Sequence, residues 1–293
     1  MPRPVSIFPD QFRLDGRTAL ITGSGRGLGW EIARGLAQAG ARVLLHGRSA
    51  ERLAPRLAEL MGAGFAADAV TFDMANRPAM REAIGRAGPI DILVHNVGER
   101  DRRPFADIEP EDFARLIDVD LVAAHALVKL VVDGMIERGW GRLILVTSIV
   151  ADLAGPAATS YAAAKGGLSA LARALALELG SKGITSNALS PGFFGTETNA
   201  TTMASAEGER RRERCPAKRW AEPWEIAGAA VFLASPAASY VNGHTLTVDG
   251  GVSATFMVDG QRSSLERPAQ TAPNSLVSSS SGPGDAIART AKA

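Results

Sequence analysis

Thr18-Ala19-Leu20-Ile21-Thr22-Gly23-Ser24-Gly25-Arg26-Gly27-Leu28-Gly29 runs a short apolar strand into a glycine-rich turn. Trp30 to Gln38 continues as an amphipathic helix closed by Ala39-Gly40. Glycines in such a turn let the backbone approach a pyrophosphate, and the N-terminus of the following helix favours its charge. A lone glycine turn says little, but this one follows a strand and opens a helix, which is the context the motif needs. Outward from it, the pattern repeats. Arg42 to Leu45 reads as a second strand and Ser49 to Met61 as a helix with Ser49 at its N-cap. Ala69 to Phe72, Ile92 to Val94, Leu143 to Val146, Thr185 to Leu189 and Thr245 to Val248 supply further strands, separated by segments of helical length. Such alternation predicts an α/β, Rossmann-type, doubly wound parallel sheet with helices on both faces, in a single domain. Ligands in that architecture collect outside the carboxyl ends of the strands, where the glycine turn, Asn96, Ser148 and Pro191-Gly192 all fall.

The chemistry centres on three later residues. Ser148 ends the apolar run Arg142 to Thr147, and Tyr161 and Lys165 follow at i and i+4 in an alanine-rich stretch, Thr159 to Leu179, that reads as a helix. Both side chains therefore leave one helix face, and a phenol stands beside an ammonium. A tyrosine ordinarily loses its proton near pH 10, and each unit of lowering costs about 1.4 kcal/mol, which an adjacent cation can supply. Such a tyrosine is a usable acid or base. A bare Tyr-x-x-x-Lys is common on ordinary helices; the serine before it and the glycine turn far upstream make this one informative.

Over roughly Phe12 to Thr255 the chain resembles the short-chain dehydrogenase/reductase family. The resemblance rests on Thr22-Gly23-x-x-x-Gly27-x-Gly29, Asp73, His95-Asn96-Val97-Gly98 where the family usually has Asn-Asn-Ala-Gly, Ser148, Tyr161-x-x-x-Lys165, and Pro191-Gly192 followed by Thr196. It implies that Ser148 holds a carbonyl oxygen, Tyr161 transfers the proton, and Lys165 lowers the tyrosine pKa and holds the nicotinamide ribose. It implies cofactor contacts from Gly23, Ser24, Arg26, Gly27, Leu28 and Gly29, from Asn96, Val97 and Gly98, and from Pro191 and Gly192. Asp73 and Met74 are expected against the adenine and Thr196 near the carboxamide. The family often completes a proton relay with an asparagine. The aligned position here is Asp120, a departure that puts a carboxylate near Lys165.

The acid that holds a ribose 2′-hydroxyl in NAD enzymes normally ends the second strand, yet this chain reads Leu45-His46-Gly47-Arg48 there. Arg48 and Arg26 can instead pair with a 2′-phosphate, so NADP(H) is expected over NAD(H). Within the family the chain is most similar to the gluconate 5-dehydrogenase group, through Leu44 to Arg48, Arg102 to Phe105, Gly195 to Asn199 and Pro216 to Trp220. A sugar acid such as gluconate or 5-keto-gluconate is then the implied small-molecule substrate, with Arg102, Arg103 or the Arg210-Arg211-Arg212 run offering a cation to its carboxylate. Surface solvation accounts for those arginines equally well. A 3-oxoacyl-thioester reductase shares every catalytic residue, and a non-catalytic cofactor-binding regulator is the remaining alternative.

At 293 residues and 46% hydrophobic content the chain can bury a large core, and its net charge of +1, with no basic stripe, argues against nucleic acid. The single cysteine, Cys215, excludes an intrachain disulfide and fits a reducing, cytoplasmic setting. Apolar stretches are too short or too interrupted for a membrane span, and the four scattered histidines give no metal-ligand spacing. We expect an N-terminal extension over 1–11, the enzyme domain over 12–259 with a substrate lid over about 193–220, and a disordered tail over 260–293. The apolar segment from Ile226 to Val248 resembles family segments that pack between subunits, which implies a homotetramer.

Overall fold

Strands that are apolar on both faces must be covered on both faces, and the described strands obey this. The computed structural model describes residues 8–255 except 154 and 156. The expected extension over 1–11 lies partly, and the tail over 260–293 wholly, outside the described residues. In chain order the regular elements are β1 (Thr18–Ile21), α1 (Gly27–Gln38), β2 (Arg42–Gly47), α2 (Ala50–Gly62), β3 (Ala67–Thr71), α3 (Arg77–Ala87) and β4 (Ile92–His95). There follow α4 (Pro110–Ile117), α5 (Ala123–Glu137), β5 (Gly141–Val146), α6 (Thr159–Leu179), β6 (Ile184–Pro191), α7 (Ala200–Met203), α8 (Ala206–Arg214), α9 (Ala227–Ala234) and β7 (Thr245–Val248).

The strands form one parallel sheet in the order β3-β2-β1-β4-β5-β6-β7. Because side chains alternate across a strand, each central strand feeds two cores. Ala19 and Ile21 of β1, Ile92 and Val94 of β4, and Ile144 and Val146 of β5 pack with Leu36, Leu53, Ala230 and Leu233 beneath α1, α2 and α9. Leu20, Leu93 and Leu143 point the other way, against Met80, Leu127, Val131 and Met135 of α3 and α5. Leu145 and Ala188 meet Leu168 and Ala172 of α6 on that same side. The sheet is thus doubly wound, and truncating one of these fully buried leucines to alanine would cost about 2–5 kcal/mol.

The helix after the glycine turn starts at Gly27, three residues earlier than the apolar pattern places it. The third strand begins at Ala67 and the sixth extends through Pro191. Ser49 stands at the N-cap of α2 but its side chain makes no capping bond. The helix expected near Pro223 begins as a short 3-10 turn, Pro223–Ile226, before α9.

Strand order reverses between β2-β1 and β4-β5, so the chain leaves β1 and β4 toward opposite faces and opens a crevice above their carboxyl ends. Thr22 draws that rim together. Its hydroxyl accepts from the Asn96 and Val97 amides at 2.8 and 3.1 Å, while Asn96 Nδ2 donates to the carbonyls of Thr22 and Gly23 at 3.1 and 3.3 Å.

Candidate active site

A cleft of about 990 Å³ follows this crevice from the glycine turn to Ser148, Tyr161 and Lys165. At its nucleotide end the turn requires glycine. Gly23 and Gly27 have φ of +64° and +55°, and a Cβ on Gly29 would stand 2.4 Å from the Gly23 carbonyl oxygen. Arg26, at the N-cap of α1, provides no side-chain cap, so the first-turn amides of that helix are left for an anionic ligand. Arg26 and Arg48 line this end, and among the described residues neither has a carboxylate partner. Arg52 joins them from the first turn of α2. These donors fit a phosphate-rich nucleotide.

Beneath the turn lies His46, which in the sequence marked only the absence of an acid. The Gly23 amide donates to its Nδ1 at 3.2 Å, and Nε2 lies 3.1 Å from the Phe72 carbonyl, a pattern that the neutral Nε2–H tautomer satisfies at both nitrogens. The His46 amide donates to Ser24 Oγ at 2.9 Å. Ser24, bonded to His46, and Gly29, tight against the Gly23 carbonyl, shape the turn and are not among the residues lining the cleft. Burial pushes the His46 pKa down to about 4, against the raising effects of the Phe72 carbonyl and Asp73. Asp73, Met74, Asn96, Val97 and Gly98 line the cleft, as do Pro191, Gly192 and Thr196, while Gly27 and Leu28 form its floor at the turn.

At the other end α6 positions Tyr161 and Lys165. Its buried face runs Tyr161, Lys165, Leu168, Ala172, Ala176 and Leu179, at three- and four-residue steps, so the helix that packs on the sheet delivers both polar groups to the cleft. Lys165 Nζ donates to the Val146 carbonyl at 3.1 Å and lies 5.6 Å from the Tyr161 ring centroid. A Cβ on Gly98 would come within 2.7 Å of this nitrogen, so glycine is needed there for the lysine to reach through. Burial raises the Tyr161 pKa. The charges of Lys165 and Arg100, with hydrogen bonding from Arg100 and Ser148, outweigh it, and the net shift is downward.

Asp120 is fully buried and sits on a π-helical turn, Asp118–Val122, inserted between α4 and α5. The wider turn leaves its carbonyl to His95 Nε2 at 3.0 Å, and its Oδ1 accepts from the Glu99 amide at 2.8 Å. Oδ2 has no hydrogen-bond partner and faces Lys165 Nζ at 3.8 Å. Burial raises the Asp120 pKa, against the lowering effect of Lys165. Asp120 does not line the cleft itself; it contacts the lysine from behind. His95 is wholly buried, its Nδ1 without a partner, and burial together with the Lys165 charge pushes its pKa down to about 3.

The arginines expected to meet a substrate are mostly occupied elsewhere. Arg103 is clamped between Asp101 and Asp112 at 2.5 and 2.6 Å, and Arg210, Arg211 and Arg212 pair with Glu207 and Glu209 of their own helix α8. Arg102 lines the cleft and donates to Thr202 Oγ1 at 2.9 Å. Arg100, absent from the sequence-derived candidates, lies with its guanidinium carbon 5.1 Å from the Tyr161 ring centroid. Among the described residues no cluster of three or more His, Cys, Asp or Glu could hold a metal ion, and no helix is long and apolar enough to cross a membrane.

A sequence-family model described as enoyl-(acyl carrier protein) reductase matches residues 23–253. The gluconate 5-dehydrogenase of Gluconobacter oxydans is 37% identical over 253 residues, covering 85% of this chain and 99% of that protein. A 2-dehydro-3-deoxy-D-gluconate 5-dehydrogenase of Formosa agariphila is likewise 37% identical, over 84% of this chain and 96% of the relative. Among solved structures, a gluconate 5-dehydrogenase from Burkholderia cenocepacia in complex with NADP and tartrate superposes with a TM-score of 0.81 at 43% identity, covering 84% of this chain and 98% of that one.

Proposed function

The chain belongs to the short-chain dehydrogenase/reductase family, an oxidoreductase of alcohol and ketone groups, and from that premise we propose that it interconverts the secondary alcohol and ketone of a sugar acid, of the gluconate/5-keto-gluconate kind. NADP(H) is the preferred cofactor over NAD(H) in this reading. Arg26, Arg48 and Arg52 support it, since they surround the place where a 2′-phosphate is read and no carboxylate ends β2. The NADP and tartrate held by the Burkholderia relative, the second a hydroxy acid, support both halves of the reading.

When bound, the nicotinamide nucleotide supplies or accepts the hydride. The chain's own residues manage the proton. Ser148 Oγ holds the substrate oxygen, and Tyr161 Oη gives that oxygen its proton in ketone reduction and takes it back in alcohol oxidation. Lys165 keeps Tyr161 acidic and, with Gly98 making room, presents its remaining donors to the nucleotide ribose. Asp120 steadies Lys165 from behind and sets how strongly its charge is felt at the phenol. The 193–220 connection, carrying α7 and α8, serves as the substrate lid in this reading, which its cleft-lining residues Phe194, Thr196, Thr198 and Asn199 support. The observation that carries the proposal is the placement of Tyr161 between Lys165, Arg100 and Ser148 at one end of a cleft whose other end is the glycine turn.

We place the enzyme in the cytoplasm, in keeping with its one buried free cysteine, Cys215, and as a homotetramer. The half-exposed edge strand β7 and the exposed Trp224 and Tyr240 support an oligomer. NADPH oxidation measured with 5-keto-D-gluconate, a neutral keto sugar and an acetoacetyl thioester tests the substrate. Efficient turnover of the thioester with none of the keto acid would replace this reading with the acyl-thioester reductase.

A further inference from the structure

The reactive end of the cleft holds one guanidinium that the sequence did not single out. Arg100 lies 5.1 Å above the Tyr161 ring, close enough for cation–π attraction. Its Nη1 donates to Asn199 Oδ1 at 3.1 Å. Asn199 is itself buried and fixed, since its Nδ2 donates to the Phe194 carbonyl at 2.9 Å, so the guanidinium is pinned by one amide oxygen. Among the described residues no carboxylate pairs with it, nor with Arg102, which is held by Thr202 Oγ1, whereas the other neighbouring cations are matched. Lys165 has Asp120, Arg103 has Asp101 and Asp112, and Arg115 has Glu99. A guanidinium presents five N–H donors in a planar fork, and bonds to Asn199 and the Tyr161 hydroxyl leave further donors for a ligand in the cleft that Arg100 lines.

We infer that Arg100 is the specificity-determining residue for the substrate's carboxylate, which it receives bidentately while the reacting oxygen sits at Tyr161 and Ser148. The inference rests on the sugar-acid reading above and narrows it to short hydroxy and keto acids whose anionic end lies a few bonds from the reacting carbon. A planar fork suits a carboxylate better than a point charge would, and pinning by Asn199 reduces the entropy lost when the acid docks. Docking also neutralises one of the two cations that keep Tyr161 acidic. The phenol therefore holds its proton more firmly once the acid has docked.

The test compares wild type, Arg100→Met and Arg100→Lys on 5-keto-D-gluconate and its neutral amide. Using the ratio of the two kcat/KM values cancels any effect of Arg100 on Tyr161 that both substrates feel. Loss of a charged hydrogen-bond partner predicts an acid-to-amide ratio about 10- to 150-fold lower in Arg100→Met, mostly through KM, with partial recovery in Arg100→Lys. An unchanged ratio, in an enzyme whose wild type reduces the acid, overturns the inference and leaves the sugar-acid reading intact. A wild type that turns over no hydroxy or keto acid overturns both, and that failure is seen without any variant. A second readout needs neither nucleotide nor substrate. The chain has two tyrosines, and Tyr240 is fully exposed, so ultraviolet titration resolves Tyr161 against an ordinary reference. The Tyr161 ionisation should move to higher pH in Arg100→Met if the variant is folded and the contact is real; no movement removes Arg100 from the ring and overturns the inference.

Discussion

Two of the four histidines are buried as neutral rings, and that makes the fold sensitive to mild acid. Their folded pKa values are depressed, to about 4 for His46 and about 3 for His95, from an unfolded value of 6.5. A depressed histidine contributes stability that is present above the unfolded pKa and is lost as pH falls, because the unfolded chain takes the proton first. Protonation of His46 would also set an N–H against the Gly23 amide that now donates to Nδ1. Between pH 8 and pH 5 each ring forfeits 1.5 pH units of proton uptake, about 2 kcal/mol, or roughly 4 kcal/mol together. That is a large share of the 5–15 kcal/mol typical of a domain. Asp120 works in the opposite sense, since its raised pKa makes the folded state readier to accept a proton, and so it trims the loss. Guanidinium unfolding of the nucleotide-free protein, at fixed protein concentration and at pH 8, 6.5 and 5, measures the slope. His95→Asn isolates one ring: its stability at pH 8 is free to differ, but its fall to pH 5 should be about half that of wild type. A wild-type change below about 1 kcal/mol, or an identical slope in the variant, would refute the neutral assignment.

Tyr161→Phe keeps the ring and removes the transferable proton, so turnover should fall at least about 100-fold while NADPH binding, followed by fluorescence, survives. Near-normal turnover at neutral pH would mean another group supplies the proton. Asp120→Asn removes the anion 3.8 Å from Lys165 and leaves the ammonium to act on the phenol alone, so Tyr161 should ionise at lower pH and the activity profile move the same way. An unmoved profile would mean the carboxyl carries no charge over the working range. Arg48→Ala should weaken NADPH binding by about 10- to 150-fold, the 1.5–3 kcal/mol of a charged hydrogen bond, and leave NADH nearly unaffected. Equal effects on both nucleotides would move Arg48 off the 2′-phosphate.

What the sequence disclosed follows a simple physical division. The central strands were legible because Ile92 to Val94 and Leu143 to Val146 are buried on both faces and therefore continuously apolar. The edge strand β3 was not bounded correctly, because Ala67 to Ala69 lie exposed or half-buried and carry no such signal. The start of α1 was missed because Gly27 and Gly29 read as turn, though α1 begins at Gly27 and includes Gly29. At the site, Tyr161 and Lys165 were legible because one helix fixes their relation. Arg100 was not, since its meaning depends on Tyr161 and Asn199, 61 and 99 residues away. His46 was noticed only as a missing acid, and its two ring contacts, to Gly23 and Phe72, come from different strand ends. Arg103 illustrates the converse. Its charge was visible, but Asp101 and Asp112, which absorb it, were not recognised as its partners.

The π turn at Asp118–Val122 has a consequence for the lengths of chain this fold tolerates. A π turn accommodates one residue more than an α-helix would over the same rise, and α4, the turn and α5 run on without a break. Removing one residue there would let the helix close into regular α geometry with α4 and α5 keeping their facing, so the change would fall on the turn itself. The contacts the widened turn makes, the Asp120 carbonyl with His95 Nε2 and the carboxylate behind Lys165, would go with it. The carboxylate behind Lys165 is thus held by a count of residues as much as by their identity, and a gap in this helix would alter the site more than most single substitutions in it.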